Sequence, residues 1–321
     1  MQMLVVGNAC WALSFPIMKS LNALQAPLLP GSSSWFIASM TIVIRFTLAA
    51  VVMLAFCWPT LRRLTRLEIW EGVGLGVFAS AGLIFQMDGL AYTSASTSAF
   101  LTQFYCLIIP LVMAARDRAW PPARVVASCL MVIAGVAVLS EINVRTFHIG
   151  RGELETLIGS TIFTGQILWL QRPKFAPNNV NHFTLVMFVV IAVTALPVML
   201  AAGGPANTWI AAWQPPASWG LMATLTVFST LGGYLLMNYW QPFLTATQAG
   251  LIYCLEPVFT SLFALFLPGW ISILAGITYA NETLGLSLLV GGGLITVANA
   301  LIQLQPSSTA KSDSSTSPVP S

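Results

Sequence analysis

The sequence predicts an all-α polytopic membrane protein with about ten transmembrane helices, arranged as two inverted repeats of five helices. Three observations predict this fold class: the composition, the lengths of the uncharged segments, and the distribution of basic residues. Hydrophobic residues make up 57% of the 321 residues, charged residues make up only 7%, and the mean hydropathy is +0.82. Soluble domains carry about a quarter charged residues, so this composition excludes an ordinary globular core.

Uncharged stretches that are long enough to cross about 30 Å of hydrocarbon mark the predicted helices. In chain order, these ten segments are residues 3–25, 35–57, 70–91, 94–115, 123–141, 154–171, 183–202, 217–240, 246–267 and 284–304. The apolar run at residues 271–280 is too short to span, so we expect an interfacial or re-entrant piece there. The Ser/Thr/Pro-rich segment 306–321 is expected to be a disordered cytoplasmic tail.

The basic residues predict the orientation of the helices. If the N-terminus is cytoplasmic, the cytoplasmic loops and tail contain Arg62, Arg63, Arg66, Arg116, Arg118, Arg124, Arg172, Lys174 and Lys311. The external loops then contain only Arg145 and Arg151, while Lys19 and Arg45 lie inside predicted helices. This bias satisfies the positive-inside rule and predicts a multi-pass protein with both termini in the cytoplasm. No basic segment precedes the apolar run that begins at Met3, so we expect no cleavable signal.

The two halves of the chain carry related segments. Five helices per half is an odd number, so two related halves must cross the membrane in opposite orientations. The predicted repeats are residues 1–145 and 146–305, and the YCL sequence at residues 105–107 recurs at residues 253–255. Together with the odd helix count, this echo predicts an inverted repeat, which is the common plan of secondary transporters.

Four charged side chains lie inside the predicted helices at depths that suggest two pairs. An acidic residue at the centre of a membrane helix costs roughly 3 kcal/mol, so it needs a partner or a function. Counting residues from the helix ends places Arg45 and Glu256 near the middle of the membrane, and Lys19 and Asp88 in its outer third. We therefore predict the pairs Arg45–Glu256 and Lys19–Asp88. The alternatives are a snorkelling Lys19, a solvated Asp88 and a purely structural Arg45.

Glu256 is the residue for which we most expect a role in substrate or proton handling. It directly precedes Pro257, which removes a backbone donor and weakens the helix near Tyr253. A carboxylate beside an arginine in a low-dielectric site can be poised to bind and release a proton, as proton coupling requires. Pro16 and Pro110 are the other predicted helix hinges.

Neutral polar and aromatic residues within the predicted helices form a second set of candidates. They are Trp11, Ser14, Gln86, Gln103, Tyr105, Gln166, Trp169, Asn238 and Tyr239. Buried amides are costly unless they form hydrogen bonds, so these side chains either line a cavity or join neighbouring helices. For any one of them, bonding between helices is slightly favoured over contact with a ligand.

The sequence contains no motif of an enzyme or an ATP-driven pump. Both histidines, His148 and His182, fall in predicted loops, and the cysteines fall in apolar runs without metal-binding spacing. No Walker motif occurs. We therefore expect no enzymatic activity, no cofactor, no metal and no nucleic-acid partner. The expected partners are a small-molecule substrate and the lipid bilayer, and a homodimer is an open possibility.

Several short motifs together resemble those of one transporter family. They are the segment 8–16 (NACWALSFP) followed by Lys19, then Arg45-Phe46, the segment 89–96 (GLAYTSAS), and the segment 255–257 (LEP). In this order and spacing, the chain resembles the EamA-type branch of the drug/metabolite transporter superfamily, whose members are ten-helix transporters. The resemblance covers roughly residues 3–304.

The resemblance implies a solute carrier of the cell (inner) membrane, commonly an exporter of amino acids or related metabolites. It also implies a central cavity lined mainly by the first, third, fourth, sixth, eighth and ninth helices. On this basis the residues in or near the transport path are Trp11, Gln103, Tyr105, Trp169, Tyr239 and Glu256. Two departures affect the ends of the fourth and ninth helices: Glu282 lies far along an enlarged loop, and the 116–118 connection is unusually short.

The leading prediction is a secondary transporter that exports amino acids or related small metabolites by alternating access, with proton coupling as an option. A variant is an anion or phosphometabolite exchanger, because Lys19 and Arg45 are suited to hold a carboxylate or phosphate. An alternative of another class is a membrane-embedded enzyme or lipid-handling protein that uses Glu256 as its acid–base group. A further alternative is a sensor or assembly subunit that does not transport.

Overall fold

The computed structural model describes residues 1–92, 98, 101–139, 150–203, 206–281 and 285–303, and these residues contain no strand. We number the α-helices in chain order. They are α1 (Gln2–Ala12), α2 (Ser14–Gln25), α3 (Ser34–Cys57), α4 (Arg66–Gly89), α5 (Tyr105–Asp117), α6 (Ala123–Leu139), α7 (Arg151–Leu170), α8 (Val180–Ala202), α9 (Ala206–Ala211), α10 (Pro216–Thr224), α11 (Gly233–Trp240), α12 (Ala246–Tyr253), α13 (Glu256–Ala264), α14 (Leu267–Ala275) and α15 (Leu286–Gln303). A π-helical segment, Leu225–Gly232, joins α10 to α11.

Several of the described helical stretches are long and apolar enough to cross a membrane. These five stretches are Gln2–Leu28, Ser34–Arg63, Arg66–Gly89, Val180–Ala202 and Pro216–Phe243. A sixth results if Ala246–Ala264 and Leu267–Ala275, which meet at a bend of 57°, form one span. The described part of the chain is therefore helical, and its apolar stretches indicate a multi-pass membrane protein. The count of ten spans stays a prediction, because part of the fourth predicted segment lies outside the described residues.

The first span is broken at Leu13, three residues before its proline. A proline cannot donate to the carbonyl four residues earlier, so Pro16 leaves the carbonyl of Ala12 without its helical partner. Helix α1 ends at Ala12 and α2 starts at Ser14. The hydroxyl of Thr260, on α13, lies 3.5 Å from the released carbonyl oxygen. A side chain of the second half of the chain therefore covers the break in the first helix.

A second break separates α12 from α13 and precedes Pro257. Asn8 on α1 is fully buried, and its Nδ2 donates to the carbonyl oxygens of Ile252 at 3.0 Å and Tyr253 at 3.1 Å. The Tyr253 carbonyl is the one that Pro257 leaves without a helical partner. Each broken helix thus supplies a side chain that covers the break in the other, because Asn8 lies on α1 and Thr260 on α13.

The third predicted hinge behaves differently, since α5 continues through Pro110. The carbonyl released by Pro110 belongs to Cys106, and it accepts a hydrogen bond from the thiol of Cys129 at 3.2 Å. Cys129 lies on α6, so a side chain of the neighbouring helix covers this carbonyl.

The helices of the two halves pack against one another. Helix α4 contacts α7 and α8, α3 packs along α8, α1 packs on α11, and α6 packs on α15. Two glycines show how closely the backbones approach. A Cβ atom added at Gly72 would lie 2.6 Å from the carbonyl oxygen of Phe183, and one added at Gly135 would lie 2.8 Å from that of Gly291. These contacts leave no room for a side chain at either position.

The predicted loop position of His182 is wrong, because α8 starts at Val180 and includes it. His182 is buried, with Nδ1 3.1 Å from Glu68 Oε2 and Nε2 3.0 Å from Thr60 Oγ1. The second histidine, His148, lies outside the described residues. In the segment 271–280, the structure has the end of the nine-residue helix α14, which stops at Ala275.

Candidate functional site

A cavity lies among α1, α2, α3, α4, α5, α7, α11, α12 and α13. The space between its lining atoms is about 750 Å³, including its opening. The lining residues include nonpolar side chains and a set of polar ones, which are Trp11, Ser14, Arg45, Gln86, Thr102, Tyr105, Gln166, Tyr234, Tyr253 and Glu256.

Arg45 provides the positive charge of the cavity. It lies in the middle of α3 with only 4% of its surface exposed. Its Nε donates to the hydroxyl of Thr230 on the π-helical segment, and its guanidinium lies 5.4 Å from the ring centre of Phe46. The hydroxyl of Thr230 in turn donates to the carbonyl of Leu225 at 3.3 Å. The wide turn of the π-helix therefore positions the group that orients Arg45, in keeping with the frequent use of π-helical turns at functional sites.

Glu256 provides the negative charge of the same cavity. It is the first residue of α13, where the positive end of the helix dipole favours an anion. Within the described residues, no hydrogen bond or ion pair joins its carboxylate to another side chain. The predicted ion pair between Arg45 and Glu256 is therefore not formed at 4.0 Å or less, although both residues line one cavity. Both charges are left available to a ligand.

Aromatic side chains form one wall of the cavity. The Trp11 ring lies edge-on to Tyr234 at 5.3 Å and to Tyr253 at 5.4 Å between ring centres. A Cβ atom at position 233 would lie 2.4 Å from Trp11 Nε1, so Gly233 is needed for the indole to occupy this place. The hydroxyl of Tyr253 donates to Gln241 Oε1 at 2.8 Å, which holds the ring in position.

Amide and hydroxyl groups complete the polar part of the cavity. Gln86 donates to the hydroxyl of Thr102 at 2.9 Å, and Tyr105 donates to Gln103 Oε1 at 3.0 Å. The Nε2 group of Gln166 is buried and has no hydrogen-bond partner in the described part of the chain. A buried donor without a partner is costly, and a ligand with an acceptor group would satisfy it.

Five residues that the sequence places on the pathway do not line this cavity. They are Lys19, Asp88, Gln103, Trp169 and Tyr239. Gln103 is buried behind Tyr105, and Tyr239 is half-exposed and contacts Trp240 at 5.1 Å between ring centres. The indole of Trp169 donates to the carbonyl of Glu71 at 3.2 Å and lies under the guanidinium of Arg172. Their assignment to a transport path stays a prediction.

The predicted Lys19–Asp88 pair is not present. Asp88 is fully buried, and its Oδ2 lies 2.6 Å from Nη2 of Arg151, the first residue of α7. Lys19 is exposed, with its Nζ 5.3 Å from the ring centre of Tyr279. Depth alone suggested the pair, but the start of α7 brings a second cation to the level of Asp88.

The residues that sequence reasoning missed include Tyr234, which lines the cavity, and Thr230, which accepts a hydrogen bond from Arg45. Both belong to an apolar run that the sequence predicts as one continuous helix. The π-helical turns within this run decide which side of the helix the two side chains occupy. A signal existed in the Gly232-Gly233 pair, which marks a close approach of helices directly before Tyr234.

Comparison with known proteins gives one named relative and a shared fold. No protein-family model matches the chain. A protein of Archaeoglobus fulgidus named as an uncharacterized transporter is 23% identical over 257 residues, which cover 79% of this chain and 73% of that protein. A solved crystal structure matches 92% of this chain and 96% of its own with a TM-score of 0.60 and 19% identity. The structural likeness shows the fold alone, and membership of the EamA-type branch stays a prediction.

Proposed function

We propose that the protein is a secondary transporter that exports amino acids or related small metabolites by alternating access. The similarity to a protein named as a transporter supports transport in general. The multi-pass helical fold agrees with this role. The substrate class and the mechanism rest on the cavity and on the packing of the helices.

One observation carries the substrate class: Arg45 and Glu256 line the same cavity without neutralising each other. A guanidinium recognises a carboxylate, and a carboxylate recognises an ammonium group. A small zwitterion, such as an amino acid, offers both groups at once. The aromatic wall around Trp11 and the apolar lining residues would receive its side chain.

The packing supports an inverted repeat. In the predicted order of ten spans, α4 is the third span, α7 the sixth, α11 part of the eighth and α1 part of the first. A twofold axis in the membrane plane would exchange the third span with the eighth and the sixth span with the first. It would then map the contact of α4 with α7 onto the contact of α11 with α1, and both contacts are present. The helix breaks at Pro16 and Pro257 lie beside the cavity, as in transporters that bind substrate at discontinuous helices.

Glu256 is the residue that would couple transport to protons. An ionised carboxylate inside the membrane is costly without a partner, and either a proton or the ammonium group of a substrate would neutralise it. Because both cations would compete for one carboxylate, binding of one favours release of the other. This competition would exchange a substrate for a proton, which is the coupling that proton-driven export requires.

The anion-exchanger variant has less support from the cavity. Of the two cations that suggested it, Arg45 lines the cavity and Lys19 does not. A phosphate group with two charges would meet one guanidinium and one carboxylate, whose charges cancel. The zwitterion fits this charge balance better.

A growth test in a bacterial host examines the proposal. Cells with vector, native chain, Glu256→Gln or Glu71→Gln are challenged with toxic amino-acid analogues, nucleobases or quaternary amines. Glu71 is the matched control, because its buried carboxylate is bonded to Asn178 at 2.7 Å outside the cavity. We expect protection against amino-acid analogues by the native chain and by Glu71→Gln, and none by Glu256→Gln.

Other results would change the proposal in defined ways, provided that all variants reach the membrane. Sensitisation by the native chain would indicate uptake rather than export. Protection confined to nucleobases or quaternary amines would exclude the zwitterion. Equal protection by Glu256→Gln would remove Glu256 from the path, and absence of any solute-dependent flux in proteoliposomes would refute transport.

A further inference from the structure

The α4–α7 contact contains a cluster of charged groups that the cavity does not use. Arg151, at the start of α7, donates from Nη2 to Asp88 Oδ2 at 2.6 Å and from Nε to Glu155 Oε1 at 2.8 Å. Its Nη1 donates to the hydroxyl of Tyr92 at 2.8 Å, and the hydroxyl of Ser34 lies 3.0 Å from the same oxygen. The cluster joins the predicted first half of the chain to the second.

The geometry brings the two carboxylates together. One edge of a guanidinium usually binds both oxygens of a single carboxylate. Here the two nitrogens Nε and Nη2 bind oxygens of two different carboxylates, Asp88 and Glu155. Because Nε and Nη2 lie on the same edge of the guanidinium, the two carboxylates that accept from them lie side by side.

Two oxygen atoms in this cluster lack a partner. Asp88 Oδ1 and Glu155 Oε2 are both buried, and neither accepts a hydrogen bond from a described residue. Asp88 is fully buried, and Glu155 is 8% exposed. With all three groups ionised, two negative charges face one positive charge. Among the described residues, Arg151 contacts both carboxylates but supplies no donor to these two oxygens, and the hydroxyl of Tyr92 accepts from Arg151.

We propose that Asp88 and Glu155 bind one proton between them, at a site separate from the cavity and from Glu256. A single proton brings the cluster of Asp88, Glu155 and Arg151 to neutrality. It also gives a hydrogen-bond donor to a pair of buried oxygens that otherwise has none. Two carboxylates held this close cannot both ionise easily, because their negative charges repel each other. The inference does not depend on the proposed transport activity.

A proton suits the site better than a metal ion does. Calcium needs 6–8 oxygen ligands, and magnesium needs about six in a near-ideal octahedron. The cluster offers two oxygens without partners, and the guanidinium of Arg151 repels a metal cation. No group of three or more potential metal-ligating side chains was found in the described part of the chain.

Infrared spectroscopy of the full chain in lipid vesicles tests the proposal. A protonated carboxyl group has a carbonyl stretching band that an ionised carboxylate lacks, and exchange into heavy water shifts it. We expect Asp88→Asn and Glu155→Gln each to remove the same band, with the intensity of one carboxyl group. The double variant should remove no more than either single variant. Glu256→Gln and Glu71→Gln are the controls and should leave this band in place.

Three results would overturn the proposal. No loss of intensity in either single variant would mean that both carboxylates are ionised. Loss in only one variant would assign the proton to that residue alone. Additive loss in the double variant would mean two separate protons.

The native chain supplies a second measurement if a variant does not fold. Heavy-isotope labels are placed on the carboxyl carbons of all aspartates or, separately, of all glutamates. If the proton is shared, labelling the aspartates and labelling the glutamates should each shift the same carbonyl band of the protonated carboxyl group. A band that responds to only one label, or no protonated band at all, would again contradict the sharing. Circular dichroism and gel filtration show whether each variant is folded.

Discussion

Asn8→Ala tests whether a side chain stabilises the helix break near the cavity. Asn8 Nδ2 donates to the carbonyls of Ile252 and Tyr253, at 3.0 and 3.1 Å. The Ile252 carbonyl keeps a second donor, the backbone N–H of Leu255 at 3.0 Å. The Tyr253 carbonyl depends on Asn8, because Pro257 has no N–H to offer it. The substitution therefore leaves one buried carbonyl without a partner.

The expected loss of stability follows from this one unpaired carbonyl. A buried polar group without its hydrogen bond costs about 1–3 kcal/mol. Asn8 Oδ1 has no partner in the structure, so removing it gives back part of this cost. We expect a net loss of about 1–2 kcal/mol in the free energy of unfolding. Thermal unfolding of the purified chain in detergent, followed by tryptophan fluorescence, should show a lower midpoint for Asn8→Ala.

A double-mutant cycle with Pro257→Ala isolates the proposed cause. Alanine at position 257 restores an N–H that can reach the Tyr253 carbonyl, so Asn8→Ala should cost less in that background. The coupling energy should be about 0.5–2 kcal/mol, the range for groups that share a partner. An equal cost of Asn8→Ala in both backgrounds would show that Asn8 does not act through this carbonyl.

Two further substitutions test contacts that only the structure shows. Gly233→Ala places a Cβ atom 2.4 Å from Trp11 Nε1 and should destabilise the chain by about 1–3 kcal/mol while changing the tryptophan emission. Gly220→Ala is its control, because nothing lies within 4 Å of the added atom, and equal effects would refute the clash. His182→Ala removes a buried partner of Glu68 and should cost about 1–3 kcal/mol in thermal unfolding; an unchanged midpoint would contradict this.

The membrane class and the approximate helix positions could be predicted because they depend on local properties. Apolar length and composition decide whether a segment enters the bilayer, and both are read along the chain. Depth is also a local quantity, since each helical residue advances about 1.5 Å. Counting along the helices placed Arg45 and Glu256 at a common level, which stays a prediction, and the structure shows both residues lining one cavity.

The face of the bundle to which a side chain points could not be predicted. Each helical residue rotates the direction by a fixed angle, but a break in the helix changes the rotation by an amount that the sequence does not reveal. The first span breaks at Leu13, the ninth at Cys254 and Leu255, and the eighth widens into a π-helix at Leu225–Gly232. Beyond such points the helical phase is lost, and so Tyr234 rather than Tyr239 faces the cavity.

Helix adjacency was decided only by tertiary packing. The depth argument offered Lys19 as the partner of Asp88, yet α7 packs beside α4 and brings Arg151 into contact. Likewise, Asn8 carries no local sign that it will bond carbonyls 244 and 245 residues away. Electrostatic and hydrogen-bond partners depend on distances of a few ångströms between helices, and the sequence encodes those distances only through the packing of the whole bundle.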